Sequence, residues 1–460
     1  MWKVWVFVGS LWAQKILSRS LIEVQGYPID KVGLPQSPAY AGRGRFAYIE
    51  YWAKDKPRPG WYVECLNLGF YTQWSYFIDV PEAGQGKPLR LLPLKDGFVL
   101  VSYEADPLNK GAVQEVGRFL DAKGQSLFAK WTALSVYDRP VAEAISRFSI
   151  SLDSTHLLWY AYLPGKKGGA ERAWYALWSG SGRKVFASQD WYVRGAVLHA
   201  VADARLNLWT LQQPAQGLPE LVYYDLKART QRIWTLQPDT ILRRPWLLVT
   251  PKAIYVGGLV SGTKSIPHEA GNIGSWAIGK LSLPFSDTSQ IRWSRVPFPD
   301  SWSASYKEPT NFIVGDAFLY QDSALYVIWE DRRARGGTFA AHDIWVCRWQ
   351  EGDTLSLAWS YRIEKRQREA LPEAVSYLYG VSETFLNIAF LTEHTRSGKL
   401  QAHLINHATG QAVVQDIADN SAGDLLLLPG RSARLSPRDI VCFALAPGGK
   451  NGYQIYILRL

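Results

Sequence analysis

Leu325-Tyr-Val-Ile-Trp329 is the stretch whose reading decides the architecture of this chain. It is continuously apolar, rich in β-branched and aromatic residues, and too short for a helix, so it reads as a strand covered on both faces. Outward from it lie three further strand-like runs, at residues 311–319, 343–349 and 357–362. The turn Gln350-Glu-Gly-Asp353 separates the last two, and a charged loop with Gly336 and Gly337 follows the first apolar run. Gly, Asp and Asn at such points are turn chemistry. The unit is therefore four short strands in sequence.

The same apolar run returns about every 50–70 residues. It recurs at Phe46-Ala-Tyr-Ile-Glu-Tyr-Trp52, Phe98-Val-Leu-Val-Ser-Tyr103, Leu157-Leu-Trp-Tyr-Ala-Tyr162, Leu206-Asn-Leu-Trp-Thr-Leu211, Ala253-Ile-Tyr-Val-Gly257, Phe385-Leu-Asn-Ile-Ala-Phe390 and Ile440-Val-Cys-Phe-Ala444. With the first, that makes eight occurrences. Residues 144–188, 196–236 and 376–417 each divide into four strands as well. Four-stranded antiparallel units along one chain predict an all-β fold, a single β-propeller over residues 20–460 with eight blades. Seven blades is the alternative, because no clear innermost strand lies between Leu34 and Gly42. The last repeat (424–428, 440–445, 453–460) is one strand short, and Leu21-Ile-Glu-Val-Gln-Gly-Tyr27 is a spare strand that would complete it. Closure of that kind removes exposed sheet edges. Only residues 364–374 have helical composition, and Pro372 limits them.

Composition agrees with a folded β protein. Of 460 residues, 47% are hydrophobic and 20% charged, with 21 Trp and 24 Tyr; aromatic residues suit pleated, half-buried surfaces. Cys65, Cys347 and Cys442 are isolated within apolar strands and read as buried free thiols. The net charge of +10 points to anionic partners. Residues 1–14, with Lys3, an apolar run and Ala13-Gln14, read as a cleaved secretory signal peptide. That places the protein outside the cytoplasm, secreted, periplasmic or at the cell surface, and argues against nucleic acid as the partner. No segment reaches the length of a membrane-spanning helix.

Two segments resemble known repeats. Leu325–Gly337, with its Trp329-Glu-Asp-Arg-Arg333 run, followed by Asp343-Ile-Trp-Val-Cys-Arg348, resembles the strand–loop–strand unit of secreted sialidase-like propeller repeats. Phe148-Ser-Ile-Ser-Leu-Asp-Ser-Thr-His156 is similar to the Ser-Pro-Asp-Gly turn of bacterial TolB-type propeller repeats, with Leu152 in place of Pro and Ser154 in place of Gly. Both resemblances imply the fold, and neither implies an activity, because function resides in sites.

The chain carries no G-x-S-x-G, H-E-x-x-H or P-loop pattern, so no cofactor and no metal are expected. His403 and His407 share a strand face but are too far apart along it to hold one metal together. Glu330 and Asp331 are adjacent on a strand and so point to opposite sides, which argues against a paired acid and base; Asp331 is expected to pair with Arg332 or Arg333. Seven of the eight loops between second and third strands carry Lys or Arg, among them Lys166, Lys167, Arg332, Arg333 and Arg335. The connections between blades, at the same end of the ring, add Trp191, Tyr192, Trp302 and Tyr306. Cations and exposed rings together suit an acidic glycan. The expected function is a secreted propeller that binds or scaffolds, with an anionic polysaccharide or a protein as partner. The alternative is a propeller glycoside hydrolase or lyase with loop-borne carboxylates.

Overall fold

The computed structural model describes residues 15–23, 38–42, 44–52, 56–79, 87–105, 113–128, 132–135, 144–164, 170–191, 195–214, 217–237, 242–261, 273–297, 312–335, 338–369, 374–393, 397–423, 425–445 and 452–460. Among them there is no helix, and hence none long and apolar enough to cross a membrane. They form eight four-stranded antiparallel sheets, the blades of an eight-bladed β-propeller.

Blade 1 is Ala39–Tyr40, Arg45–Trp52, Gly60–Asn67 and Thr72–Ile78, written here from the inner strand outward. Blades 2 to 5 occupy 87–133, 145–191, 195–235 and 242–297. Blade 6 is Phe312–Tyr320, Ala324–Arg335, Thr338–Gln350 and Ser356–Glu369; blade 7 is Leu378–Val381, Phe385–Leu391, Lys399–Asn406 and Ala412–Asp419. In blade 8 the chain supplies Leu426–Arg434, Asp439–Leu445 and Gly452–Arg459, and the outer strand is Lys15–Glu23 from the other end of the sequence.

That strand settles the blade count and corrects one boundary. The closing strand begins at Lys15, opposite Arg459, and not at Leu21. Leu21, Ile22 and Glu23 face Gln454, Tyr453 and Gly452, while residues 24–27 lie outside the described residues. Blade 1 has its inner strand, only two residues long, with Ala39 opposite Ala47 and Tyr40 opposite Phe46. Residues 364–369 are not helical. They extend the outer strand of blade 6 with a period of two, Ile363, Lys365 and Gln367 buried and Glu364, Arg366 and Arg368 exposed. The buried face there is polar, which is why composition alone misled.

The core lies between blades. Second strands are covered by a neighbouring blade on each face, which explains their unbroken apolar sequences. Between blades 5 and 6, Trp246, Trp276, Trp329, Trp345 and Trp349 pack with Leu325 and Val327. Each such fully buried side chain contributes about 1.5–3 kcal/mol from the apolar surface removed from water. Cys65, Cys347 and Cys442 are buried free thiols, and burial pushes Cys65 up to about 11 and Cys442 up to about 12.

The segment similar to the TolB-type turn is a tight turn between inner and second strands. Asp153 accepts from Ser151 Oγ (2.6 Å) and Thr155 Oγ1 (2.7 Å), and Ser154 takes φ 59° where the repeat has Gly. The Trp329-Glu-Asp-Arg-Arg333 run is not a turn here. The second strand of blade 6 continues through it to Arg335, which pairs with Thr338.

Candidate functional site

Antiparallel order puts the turns after inner and third strands at one end of the ring and the remaining connections at the other. The first end holds a cavity of about 1400 Å³. Its walls come from the inner-to-second turns of blades 6, 7 and 8, together with Tyr40 of blade 1. Turns of four consecutive blades meet only near the ring axis, so this is the axial mouth.

The turn of blade 8 is rigidly built. Ser436 Oγ accepts from the backbone N–H groups of Arg438 (3.2 Å) and Asp439 (2.9 Å) and donates to Asp439 Oδ2 (3.1 Å). The backbone N–H of Val381, in blade 7, donates to Pro437 O at 2.6 Å, tying the turn to its neighbour. Arg459 binds Asp439 through two hydrogen bonds, 2.8 and 3.2 Å, so these two charges compensate each other. That engagement holds the Asp439 carboxyl below its ordinary value against the opposing effect of burial. Arg438 donates from Nε to Leu460 O (3.1 Å), which fixes its side chain. Arg434 lies over the Tyr379 ring, 3.9 Å from the centroid. No Asp or Glu side chain among the described residues forms an ion pair within 4 Å with Arg434 or Arg438. Tyr40, 41% exposed, with Tyr320 and Phe385, adds rings to the wall. The lining carboxylates are Asp439, already engaged, and Glu383.

Behind this wall a polar cluster fills the seam between blades 6 and 7. A bulge in the inner strand of blade 6 lies between Val314 and Asp316. Gly315 is required there, because a Cβ would overlap the Tyr377 hydroxyl. That hydroxyl donates to Asp316 Oδ2 at 2.8 Å. Burial pushes the Asp316 carboxyl above its ordinary value, opposed by bonds from Tyr377 and Tyr379 and by the charges of Arg434 and Arg332. Next to Tyr377, Ser376 is held at φ 147°, a strained conformation for a residue with a Cβ. Its N–H donates to Gln367 Oε1 (3.1 Å) and its hydroxyl to Glu330 Oε2 (3.0 Å), while Arg332 Nη2 donates to the same hydroxyl (2.7 Å). Glu330 and Lys365, both fully buried, form an ion pair. Burial opposes both charges, but Lys365 and Arg332 outweigh it at Glu330 and hold that carboxyl below its ordinary value.

Of the residues expected from sequence, the four that are described lie toward the other end. Lys166, Lys167, Tyr192, Trp302 and Tyr306 are outside the described residues. Trp191 ends the outer strand of blade 3, opposite Ala173, and Arg333 and Arg335 lie on the second strand of blade 6 opposite Ala340 and Thr338. Arg332 pairs with Glu330, at 2.6 Å; the side chain of Arg333, the other expected partner of Asp331, lies outside the described residues. Glu330 and Asp331 do face opposite sides. Glu330 meets Ser376 of blade 7, and the charge of Asp331 acts on Arg244 of blade 5. Two more described cations of that end are compensated, Lys56 by Glu64 (2.7 Å) and Lys399 by Asp416 (2.6 Å). His403 and His407 face Tyr361 (3.1 Å) and Tyr326 (2.6 Å). Sequence reasoning missed Arg434 and Arg438. The only local signal was two arginines flanking Ser436-Pro437, and nothing in it says that they line a cavity.

No family model and no curated protein matches the chain. Among solved structures it is similar to Sqt1 of Saccharomyces cerevisiae, at 9% identity over 96% of this chain and 98% of that one, with a TM-score of 0.46. It is also similar to the polysaccharide lyase Uly1 (9% identity, 97% and 100% covered, TM-score 0.44). A third is the β-propeller domain of the Trilobed protease from Pyrococcus furiosus (9% identity, 82% and 94% covered, TM-score 0.38). These are likenesses of overall architecture, and no residue's role passes from them.

Proposed function

We propose that this propeller is a binding module whose ligand, an anionic glycan, sits in the axial mouth of blades 6 to 8. The observation that carries the reading is the cavity of about 1400 Å³ lined by Arg434 and Arg438 beside Tyr40, Tyr320 and Phe385. Its volume exceeds the ~300–1000 Å³ of ordinary small-molecule sites, which suits a segment of a polymer. Rings stack on sugar faces while guanidinium groups pair with acidic substituents. Catalysis by two carboxylates is less well supported, since Asp439 is committed to Arg459 and only Glu383 remains on the lining. Export through cleavage of residues 1–14, to a periplasm or cell surface, belongs to the same reading. Cleavage near Gln14 would leave the closing strand from Lys15 intact.

The test is titration of the full chain with polygalacturonate, alginate and heparin at low and high salt. Binding is expected to weaken with salt, as screened charges require, and to be lost in Arg434→Ala/Arg438→Ala. Loss instead in a variant with Lys166, Lys167, Arg333 and Arg335 replaced by Ala would move the site to the opposite end. Chain cleavage during the titration would replace the binding reading by the lyase or hydrolase one.

A further inference from the structure

The two arginines of the mouth are not equivalent, and the difference names the ligand chemistry. Arg438 stands on the turn, anchored through Nε to Leu460 O. Arg434 lies deeper, on the inner strand of blade 8, spread over Tyr379 of blade 7. Its charge acts on Asp316 of blade 6, which Tyr377 also bonds. Three blades thus converge on one guanidinium.

We propose that Arg434, seated on Tyr379 and flanked by Asp316, is a recognition subsite for the carboxylate of a uronic acid residue in an oligosaccharide that enters past Arg438. This rests on the binding function proposed above and narrows it from anions in general to carboxylated sugars. The N–H groups of a guanidinium lie in one plane as a fixed fork. Two coplanar carboxylate oxygens match that fork. A single guanidinium also matches a single negative charge; of the other lining cations, Arg438 stands on the turn of blade 8 and Arg459 is paired with Asp439. Polysulfated chains carry denser charge than this pair complements.

Asp316 tunes the subsite. The groups facing it are Tyr377 and Tyr379 from the inner strand of blade 7, Arg434 from blade 8 and Arg332 from the second strand of blade 6. Burial raises both tyrosines above their ordinary range, so they stay neutral. Asp316 is therefore the group that titrates. While it is protonated, the charge of Arg434 is available to the ligand. Once ionised, it competes for that charge. Affinity for a carboxylated ligand should fall as pH rises through the raised Asp316 value.

Trigalacturonate, its neutral counterpart trigalactose and a sulfated disaccharide from heparin are the probes, titrated calorimetrically into the full chain at pH 5 and pH 7.5. Trigalacturonate should bind at least about tenfold more tightly than trigalactose. Arg434→Lys keeps the charge and loses the fork; it should weaken trigalacturonate about tenfold, as expected for a charge-assisted bidentate pair. Circular dichroism and melting of Arg434→Lys confirm that the fold is kept. Asp316→Asn should flatten the pH dependence. Equal binding of trigalactose, or unchanged affinity in Arg434→Lys, overturns the carboxylate subsite. Tighter binding of the sulfated disaccharide, dependent on Arg438, also overturns it but leaves the anion-binding module standing. If no anionic probe binds in a manner dependent on Arg438, the broader function falls as well.

Discussion

Blade 6 presents two unlike faces from the same pair of strands. Toward blade 5 its second strand offers Leu325, Val327 and Trp329, and its third Trp345, Cys347 and Trp349. Toward blade 7 the same strands offer Tyr326, Ile328, Ile344 and Val346, and then, one step further along, Glu330 and Arg332. The first seam is a stack of indoles, with Trp276 and Trp329 stacked at 6.5 Å. The second turns polar as it nears the end of the strands, around Glu330, Lys365, Gln367 and Ser376. Alternation of side chains along a strand separates the two environments by one residue. An apolar seam is held by area and tolerates small adjustments. A polar one depends on every partner being present, since an orphaned buried charge is destabilising.

Trp329→Ala should have the largest effect. It leaves a cavity in the indole stack and should cost about 3–5 kcal/mol, read from urea denaturation monitored by circular dichroism. A loss below 1 kcal/mol would mean that the seam between blades 5 and 6 is not the stronger one. Lys365→Met should follow, at about 3 kcal/mol, because Glu330 is left buried with Arg332 as its only remaining cation partner. The double variant Glu330→Leu/Lys365→Met should lose much less than Lys365→Met alone, and equal losses would show that the pair acts only through packing.

The seam between blades 6 and 7 should also be the acid-sensitive one. Burial lowers His403 from 6.5 to about 4. A base with a depressed folded value contributes stability above its unfolded value, and that contribution is lost as pH falls through the window down to the folded one. Between pH 6.5 and 4 this amounts to about 2–3 kcal/mol. His403→Gln should flatten that part of the stability profile, measured by denaturant melts at half-unit steps of pH. Smallest of the four is Gly315→Ala, at about 1–2 kcal/mol, because the new methyl group displaces the Tyr377 hydroxyl. The test is its melting temperature against that of Gly315→Ala/Tyr377→Phe, which should recover part of the loss.

The strands of this seam were largely legible in the sequence. The apolar runs at 325–329 and 343–349 read as strands and lie within Ala324–Arg335 and Thr338–Gln350. The opposite facing of Glu330 and Asp331 followed from the period of two alone. Their partners did not. Lys365 lies in a stretch of helical composition, and a strand whose buried face is Lys365 and Gln367 carries no hydrophobic alternation to detect. The strain at Ser376 and the bulge at Gly315 had no local signature either, since both are imposed by contacts across the seam.

What the sequence determined by itself is the repeat, the four strands within it and the need for an N-terminal strand to finish blade 8; between eight blades and seven the structure decided for eight. Strand periodicity and turn chemistry are local, so they survive in a linear reading. The tertiary structure alone decided which neighbour each strand face meets and which turns gather around the cavity. Arg434 of blade 8, Tyr379 of blade 7 and Asp316 of blade 6 lie far apart along the chain and converge only when the blades stand side by side around the axis. A property of convergence has no counterpart in spacing, and so the site had to be found in three dimensions.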